Sequence, residues 1–137
     1  MKDLQKYFDI SVFTSGHLTY AAFVITLLDP LNELIDHFYS REHTVFIPKL
    51  KLNSKDLALL KVDLRQSLLV DNCSKVCFYR PENLIPVVDF KGDSNDTHLL
   101  KLKEYLLTFV GCSDFRVKVI NDLGLPSALI SAPALQS

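Results

Sequence analysis

The chain has 137 residues, of which 48% are hydrophobic and 23% charged, a composition typical of one globular domain with its own core. Its 15 basic and 16 acidic residues leave a formal net charge of −1, so we expect no nucleic-acid binding by direct electrostatics. No apolar run approaches the roughly 18 residues of a membrane span, and the first residues resemble neither a secretory signal nor a transit peptide. These features predict a soluble protein without a membrane span.

The three cysteines match no common disulfide framework, which predicts a reduced, intracellular protein. Cys73 and Cys77 lie close enough in the sequence to suggest a zinc site. Zinc usually needs four ligands, however, and the chain has no second cysteine pair and only scattered histidines. We therefore expect no zinc site, and the sequence leaves nuclear, cytoplasmic and mitochondrial locations open.

The first half of the chain predicts a strand, a helix, a second strand and a hairpin. The predicted elements are, in order, a short helix at 4–8, a buried strand at 10–13, a helix at 20–28 capped by Thr19, an ambiguous helix or strand segment at 31–39 and a hairpin of 44–47 with 49–52. Pro30 is expected to stop the longer helix, and Pro48 is expected to lie near the bend of the hairpin.

The second half predicts further alternation of strands and helices. The predicted elements are a short helix at 54–60 capped by Ser54, a buried strand at 67–70, a strand at 85–90, a polar loop at 92–96, a helix at 98–110 and a helix at 115–123 ended by Gly124. This alternation predicts an α/β fold with a mainly parallel sheet. We expect one domain over residues 1–125, followed by an irregular tail at 126–137.

Polar residues follow the predicted strands at the edge where open α/β sheets bind ligands. Thr14 ends the first strand, Lys55 opens a short helix, and Asp71 with Asn72 ends the strand at 67–70. Each also has a purely structural interpretation, because a threonine can belong to a turn, a lysine is normally solvated, and Asx residues often cap turns. The three positions together predict a ligand site at one end of the sheet.

An ordered series of motifs resembles the haloacid dehalogenase superfamily, in particular its small C-terminal-domain phosphatase branch, also called NLI-interacting-factor-like. The motifs are Phe13-Thr14, Tyr20-Ala21, Leu27-Leu28-Asp29, Arg41-Glu42, Lys55-Asp56-Leu57, Asp63-Leu64, Val70-Asp71-Asn72, Pro81-Glu82-Asn83, Ile85-Pro86 and the loop 92–96. The resemblance implies a haloacid-dehalogenase-like, Rossmannoid sheet that is mainly parallel, with flanking helices and a small β-hairpin insertion.

The same resemblance implies a mechanism. An aspartate on the first strand attacks phosphorus, a second aspartate two residues later acts as acid and base, and Mg²⁺ screens the approach of two anions. By family position, Thr14 would hydrogen-bond a phosphoryl oxygen and Lys55 would neutralise charge on the phosphoryl group and nucleophile. Asn72 would be a metal ligand, with Asp71 beside it completing or orienting the ligand set.

The sequence departs from the family pattern at the nucleophile. The motif Asp-x-Asp-x-Thr is expected on a strand before the helix at 4–8, where Met1 lies instead, and the motif occurs nowhere in these 137 residues. We therefore expect the first motif-bearing strand to be missing and the metal site at Asp71 and Asn72 to be vestigial. The Ser15-Gly16 and Cys73-Ser74 pairs and Leu84 also differ from the usual family residues.

These departures predict a phosphatase-like domain, a pseudo-phosphatase, that serves as a binding or structural subunit of a larger assembly with a protein partner. One member of the branch, the phosphatase-like receptor subunit of the mitochondrial presequence translocase, works by binding. The alternative is a Mg²⁺-dependent protein serine/threonine phosphatase whose nucleophile lies outside this chain. The missing strand would then be supplied by another polypeptide or by a longer gene product; in the pseudo-phosphatase, the flanking strands would close together.

Overall fold

The computed structural model describes residues 1–88, 92, 95 and 97–130. The elements of this part are α1 (Lys2–Gln5), β1 (Ser11–Phe13), α2 (Leu18–Leu28), β2 (His37–Tyr39), β3 (Val45–Ile47), β4 (Leu52–Ser54), β5 (Leu69–Asp71), β6 (Leu84–Pro86), α3 (His98–Leu107) and α4 (Phe115–Leu123). The chain divides into two compact units, Met1–Lys55 and Asp56–Ser137, and each is described by itself.

In the first unit, β1 and β2 form a parallel pair joined by α2. Ser11 lies opposite His37, and Phe13 lies opposite Tyr39. Parallel strands need a crossover connection, which α2 supplies. The buried carboxylate of Asp29 then accepts the backbone N–H groups of residues 33, 34 and 35 at 2.9 Å each, and this holds the chain in a turn between helix and strand.

The hairpin of the first unit is antiparallel, with Val45 opposite Ser54 and Ile47 opposite Leu52. The turn occupies residues 48–51, where the N–H of Leu50 donates to Ile47 and the N–H of Lys51 donates to Pro48. Lys51 has a φ of 51°, the left-handed conformation that such a turn requires. The second strand therefore begins at Leu52 and not at residue 49, because the turn consumes four residues.

In the second unit, β5 and β6 form a parallel pair with Leu69 opposite Leu84 and Asp71 opposite Pro86. The crossover between them carries two short 3₁₀ turns, Ser74–Cys77 and Pro81–Asn83. The core of this unit consists of buried apolar side chains from both strands, the turn Ser74–Cys77, α4 and the segment before α4: Leu69, Val76, Cys77, Leu84, Ile85, Phe109, Phe115, Val119 and Ile120. Phe109 and Phe115 meet edge to face with centroids 5.3 Å apart.

Several predicted boundaries are wrong at the level of one or a few residues. The first helix spans Lys2–Gln5, α2 begins at Leu18 after His17, and the segment at 31–39 contains a strand only at its end. Asp56 caps the 3₁₀ turn Leu57–Leu60 in place of Ser54, because its carboxylate accepts the N–H of Ala58. The C-terminal helix and its left-handed cap at Gly124 are confirmed.

Within the described residues, strands and helices form an α/β structure with three two-stranded sheets, two parallel and one antiparallel. The haloacid-dehalogenase-like arrangement of one continuous sheet stays a prediction, as does the division into a domain at 1–125 and a tail at 126–137. Most of the predicted loop at 92–96 and the end of the strand at 85–90 lie outside the described residues. In the described part, no helix is both long and apolar enough to cross a bilayer.

Candidate phosphate pocket

Thr14 lies directly after β1 and is held there by two hydrogen bonds. Its backbone N–H donates to the carbonyl of Tyr39 at 3.0 Å, which continues the β1–β2 pairing by one residue. Its side-chain Oγ1 accepts the N–H of Gly16 at 3.0 Å. A Cβ atom at Gly16 would lie 3.3 Å from this oxygen, so glycine leaves room for the tight turn. The hydroxyl is thus fixed in position by the turn that follows it.

Arg41 braces this turn from the neighbouring strand connection. Its backbone N–H donates to the carbonyl of Gly16 at 3.1 Å, and its Nε donates to the carbonyl of Ser15 at 2.8 Å. Its Nη1 lies 2.9 Å from Nε2 of His17. Sequence reasoning noted Arg41 only as part of a family motif. No local sequence pattern indicates this role, because the contacts depend on the pairing of β1 with β2.

Lys55 follows β4 and has only 6% of its surface exposed, which contradicts the solvated structural interpretation of this lysine. Its Nζ lies 5.7 Å from the centroid of the Phe13 ring, within the range of a cation–π contact. Ser54, the last residue of β4, is fully buried at 0% exposure. The hairpin therefore delivers the lysine inward, as the family motif predicts.

The first unit thus brings Lys55 against the residue that precedes Thr14. Phe13 is held by β1, and its ring also packs against Tyr39 of β2 with centroids 5.6 Å apart. A buried ammonium group and a fixed hydroxyl together can stabilise an anion such as a phosphoryl group. Neither group is a strong nucleophile in this setting, so the pair can bind phosphate more readily than attack it.

Asp71 and Asn72 lie in the second unit, at the carboxyl end of β5. Asp71 Oδ1 accepts the N–H of Cys73 at 2.9 Å, and its carbonyl accepts the N–H of Val87 at 3.0 Å. The first of these bonds is the Asx turn of the structural interpretation. Asp71 is half-buried and Asn72 is exposed, so both side chains are at least partly accessible to solvent at the end of β5.

The donor atoms of Asp71 and Asn72 are hard oxygens of the kind that Mg²⁺ prefers. Within residues 1–88, 92, 95 and 97–130, no group of three or more histidine, cysteine, aspartate or glutamate side chains could hold a metal ion. The chemistry of these two residues therefore fits magnesium, while the ligand number is short in the part of the chain described. Together they provide at most part of a magnesium site.

A buried ion pair fixes the backbone next to Lys55. Asp56, the residue that follows it, accepts a hydrogen bond from Arg80 Nε at 3.0 Å, and the two side chains are only 14% and 10% exposed. The same carboxylate caps the 3₁₀ turn Leu57–Leu60 by accepting the N–H of Ala58 at 3.0 Å. Asp56 therefore anchors the start of the second unit by two kinds of bond.

Cys77 is a core residue of the second unit, 1% exposed. Burial, together with the nearby carboxylates of Glu82 and Asp56, raises the pKa of its thiol to about 12. The thiol therefore stays protonated at neutral pH, and its Sγ donates a hydrogen bond to the carbonyl of Arg80 at 3.0 Å. A protonated, buried thiol is a poor nucleophile, so Cys77 contributes to this unit as a core residue.

Known proteins are similar in sequence to most of this chain. Residues 1–116 match the family described as NLI interacting factor-like phosphatase. The chain is 35% identical to CTD small phosphatase-like protein 3 of Caenorhabditis elegans, over 75% of this chain and 35% of that protein. It is 31% identical to mitochondrial import inner membrane translocase subunit TIM50 of Yarrowia lipolytica, over 75% of this chain and 22% of that protein.

A third relative is the CTD nuclear envelope phosphatase 1 homolog of Drosophila pseudoobscura pseudoobscura, 29% identical over 89% of this chain and 49% of that protein. The chain thus spans about half or less of the length of these curated relatives. The resemblance inferred from the motifs is confirmed by a match that covers most of the sequence. The chain belongs to the NLI interacting factor-like phosphatase family.

Proposed function

We propose that these 137 residues form a phosphate-recognising, phosphatase-like domain that acts by binding within a larger protein assembly. The observation that carries the proposal is the position of Lys55, buried to 6% exposure with its Nζ 5.7 Å from the ring of Phe13, the residue that precedes Thr14 in the chain. Burying an ammonium group costs free energy unless an anion or a π face compensates it. A buried ammonium group in the same unit as a strand-end hydroxyl can stabilise a phosphoryl group, which supports a role in phosphate recognition.

The chemistry of these residues supports binding over turnover. Thr14 Oγ1 accepts the N–H of Gly16, which orients the hydroxyl so that its hydrogen can be donated to a phosphoryl oxygen. Lys55 supplies the positive charge. Hydrolysis by the family mechanism also needs a carboxylate that attacks phosphorus, and the motif Asp-x-Asp-x-Thr does not occur in these 137 residues.

A second candidate function is a Mg²⁺-dependent protein serine/threonine phosphatase whose Asp-x-Asp-x-Thr segment lies outside these residues. Its support is that Thr14, Lys55, Asp71 and Asn72 match the family positions that would serve such an enzyme. In that enzyme Asp71 and Asn72 would hold Mg²⁺ through their side-chain oxygens together with the absent carboxylates, and the metal would neutralise phosphoryl charge when bound.

The phosphate-binding proposal predicts that Lys55→Met weakens the binding of phenyl phosphate at least tenfold. A hydrogen bond to a charged group contributes about 1.5–3 kcal/mol, which corresponds to about ten- to hundredfold in affinity. The amide shifts of residues 14–16 in a nuclear magnetic resonance titration measure this binding, with Thr14→Val as a second variant. Lys49→Met is the matched control, because Lys49 belongs to the same hairpin and is exposed. Equal affinities in Lys55→Met and Lys49→Met would contradict the proposal.

The assembly part of the proposal rests on α2. This helix carries no charged residue, yet Tyr20, Phe23 and Leu27 are 66%, 63% and 67% exposed. A helix that is apolar on all sides is normally covered by other protein. We expect the chain to self-associate in sedimentation velocity at micromolar concentration, and a partner to suppress that association. A stable monomer with no tendency to associate would contradict this part.

A further inference from the structure

The second unit contains an open depression of about 430 Å³ that the phosphatase mechanism does not use. Its walls come from the stretch 58–65 and the first turn of α4, and its lining residues are Ala58, Lys61, Val62, Asp63, Leu64, Arg65 and Arg116. Lys61 has a φ of 58° at the end of the 3₁₀ turn Leu57–Leu60. This left-handed residue ends the turn and lies in the wall of the depression.

Cationic side chains dominate the charge of the depression. Three of its lining residues are basic (Lys61, Arg65 and Arg116) and one is acidic (Asp63), which leaves a net charge of +2. Asp114 pairs with Arg116 at 2.8 Å from outside the lining and reduces this sum to +1. The carboxyl group of Glu82, whose pKa is raised mainly by burial, also acts electrostatically on Arg116. Hydrogen bonds from Arg65 lower the pKa of the Asp63 carboxyl group, and the positive charges of Arg65 and Arg116 lower it further.

The buried arginine is held in a fixed orientation. Arg116 is 5% exposed, and its Nε and Nη2 both donate to the carboxylate of Asp114, at 3.0 and 2.8 Å. A guanidinium held in this way keeps its remaining edge pre-organised for an anion in the depression. Lys61 and Arg65 lie at the exposed rim, where they can close on a ligand from the solvent side.

The remaining wall is apolar. Ala58, Val62 and Leu64 line the depression beside the charged rim, so the site combines a cationic side with a hydrophobic one. Such a combination fits an anion that is attached to an organic group better than a free inorganic ion. Arginine recognises tetrahedral phosphate by paired hydrogen bonds.

We propose that this depression is a second anion site that binds a phosphate monoester, such as the phosphorylated side chain of a protein. Within the second unit, this site is separate from Asp71 and Asn72, the residues of that unit assigned to the phosphatase pocket. The turn Leu64–Gln66 precedes β5, whereas Asp71 ends it, so the two lie at opposite ends of a three-residue strand about 10 Å long. The proposal does not depend on what Thr14 and Lys55 do.

The experiment is a ¹H–¹⁵N titration of the whole chain with phenyl phosphate, and in parallel with inorganic phosphate. Saturable shifts are expected at the amides of residues 61–65 and 116. The double variant Lys61→Asn, Arg65→Gln is expected to weaken this binding at least tenfold. Asparagine suits position 61 because it tolerates the left-handed backbone. Both substituted side chains lie at the rim, so the fold is retained, which an unchanged circular dichroism melt verifies.

Lys51→Asn is the matched control, because Lys51 is also an exposed lysine with a positive φ, of 51°, but lies in the first unit. Loss of binding in the double variant with retention in Lys51→Asn supports the site. Equal weakening by both, shifts confined to residues 14–16 and 55, or shifts that never saturate would each overturn it. Equal affinity for the two phosphates would keep the anion site and overturn the role of the apolar wall.

Discussion

Replacing Asp56 by alanine is expected to lower the free energy of unfolding by about 3–5 kcal/mol, because it leaves the charge of Arg80 buried without its partner. The two side chains are only 14% and 10% exposed. The substitution also removes the cap of the turn Leu57–Leu60, which adds to the loss. Urea denaturation followed by circular dichroism measures the change.

Asp63 provides the matched control. It caps the turn Leu64–Gln66 by accepting the N–H of Arg65 at 3.0 Å and pairs with the Arg65 side chain at 3.3 Å. That pair is solvent-exposed, at 52% and 65%, so Asp63→Ala is expected to cost far less. In addition, Asp56→Ala combined with Arg80→Ala should lose less than the sum of the two single variants. Equal losses at Asp56 and Asp63 would show that the pair at Asp56 behaves as a surface pair.

The largest functional effect is expected from supplying the missing carboxylates. An apolar strand carrying Asp-x-Asp-x-Thr, joined to the amino terminus, is expected to give Mg²⁺-dependent hydrolysis of an aryl phosphate if the second candidate function is the right one. In that fusion, Lys55→Ala is expected to reduce turnover by about 10²–10³-fold, the usual cost of removing one group that stabilises the transition-state charge. The initial rate of phenolate release measures it.

Two controls make this result interpretable. Changing the first aspartate of the added strand to asparagine removes the nucleophile and should abolish hydrolysis. Lys49→Ala, in the same hairpin as Lys55, should leave the rate within about twofold, because an exposed lysine at the turn does not enter the pocket. Hydrolysis that survives Lys55→Ala would assign the activity to another site. A folded fusion that binds phenyl phosphate without hydrolysing it would favour the binding function.

The order of elements was predictable from the sequence because it depends on local patterns. The strand ending at Phe13, the helix after it and the C-terminal helix with Gly124 all appear where the apolar periodicity places them. The cap at Asp56 was not predictable, since Ser54 and Asp56 are both good capping residues. Asp56 is selected because it also pairs with Arg80, which is distant in the sequence.

Family motifs pointed to Thr14 and Lys55 as phosphate-contacting residues, and that role stays a prediction. The structure places Lys55 against Phe13. The bracing of the turn by Arg41 depends on the β1–β2 register, which no local pattern reports. The same holds for the depression at Lys61, Arg65 and Arg116, because α4 supplies its buried arginine from about fifty residues further along the chain.

The most direct test of the central claim is hydrolysis of p-nitrophenyl phosphate by these 137 residues alone, with and without Mg²⁺, compared with Lys55→Ala. If the chain binds phosphate without turning it over, the two proteins should show the same background rate under both conditions, while Lys55→Ala loses the phosphate-induced amide shifts of residues 14–16. Mg²⁺-dependent release of nitrophenolate that disappears in Lys55→Ala would contradict the claim and show that the chain is itself a phosphatase.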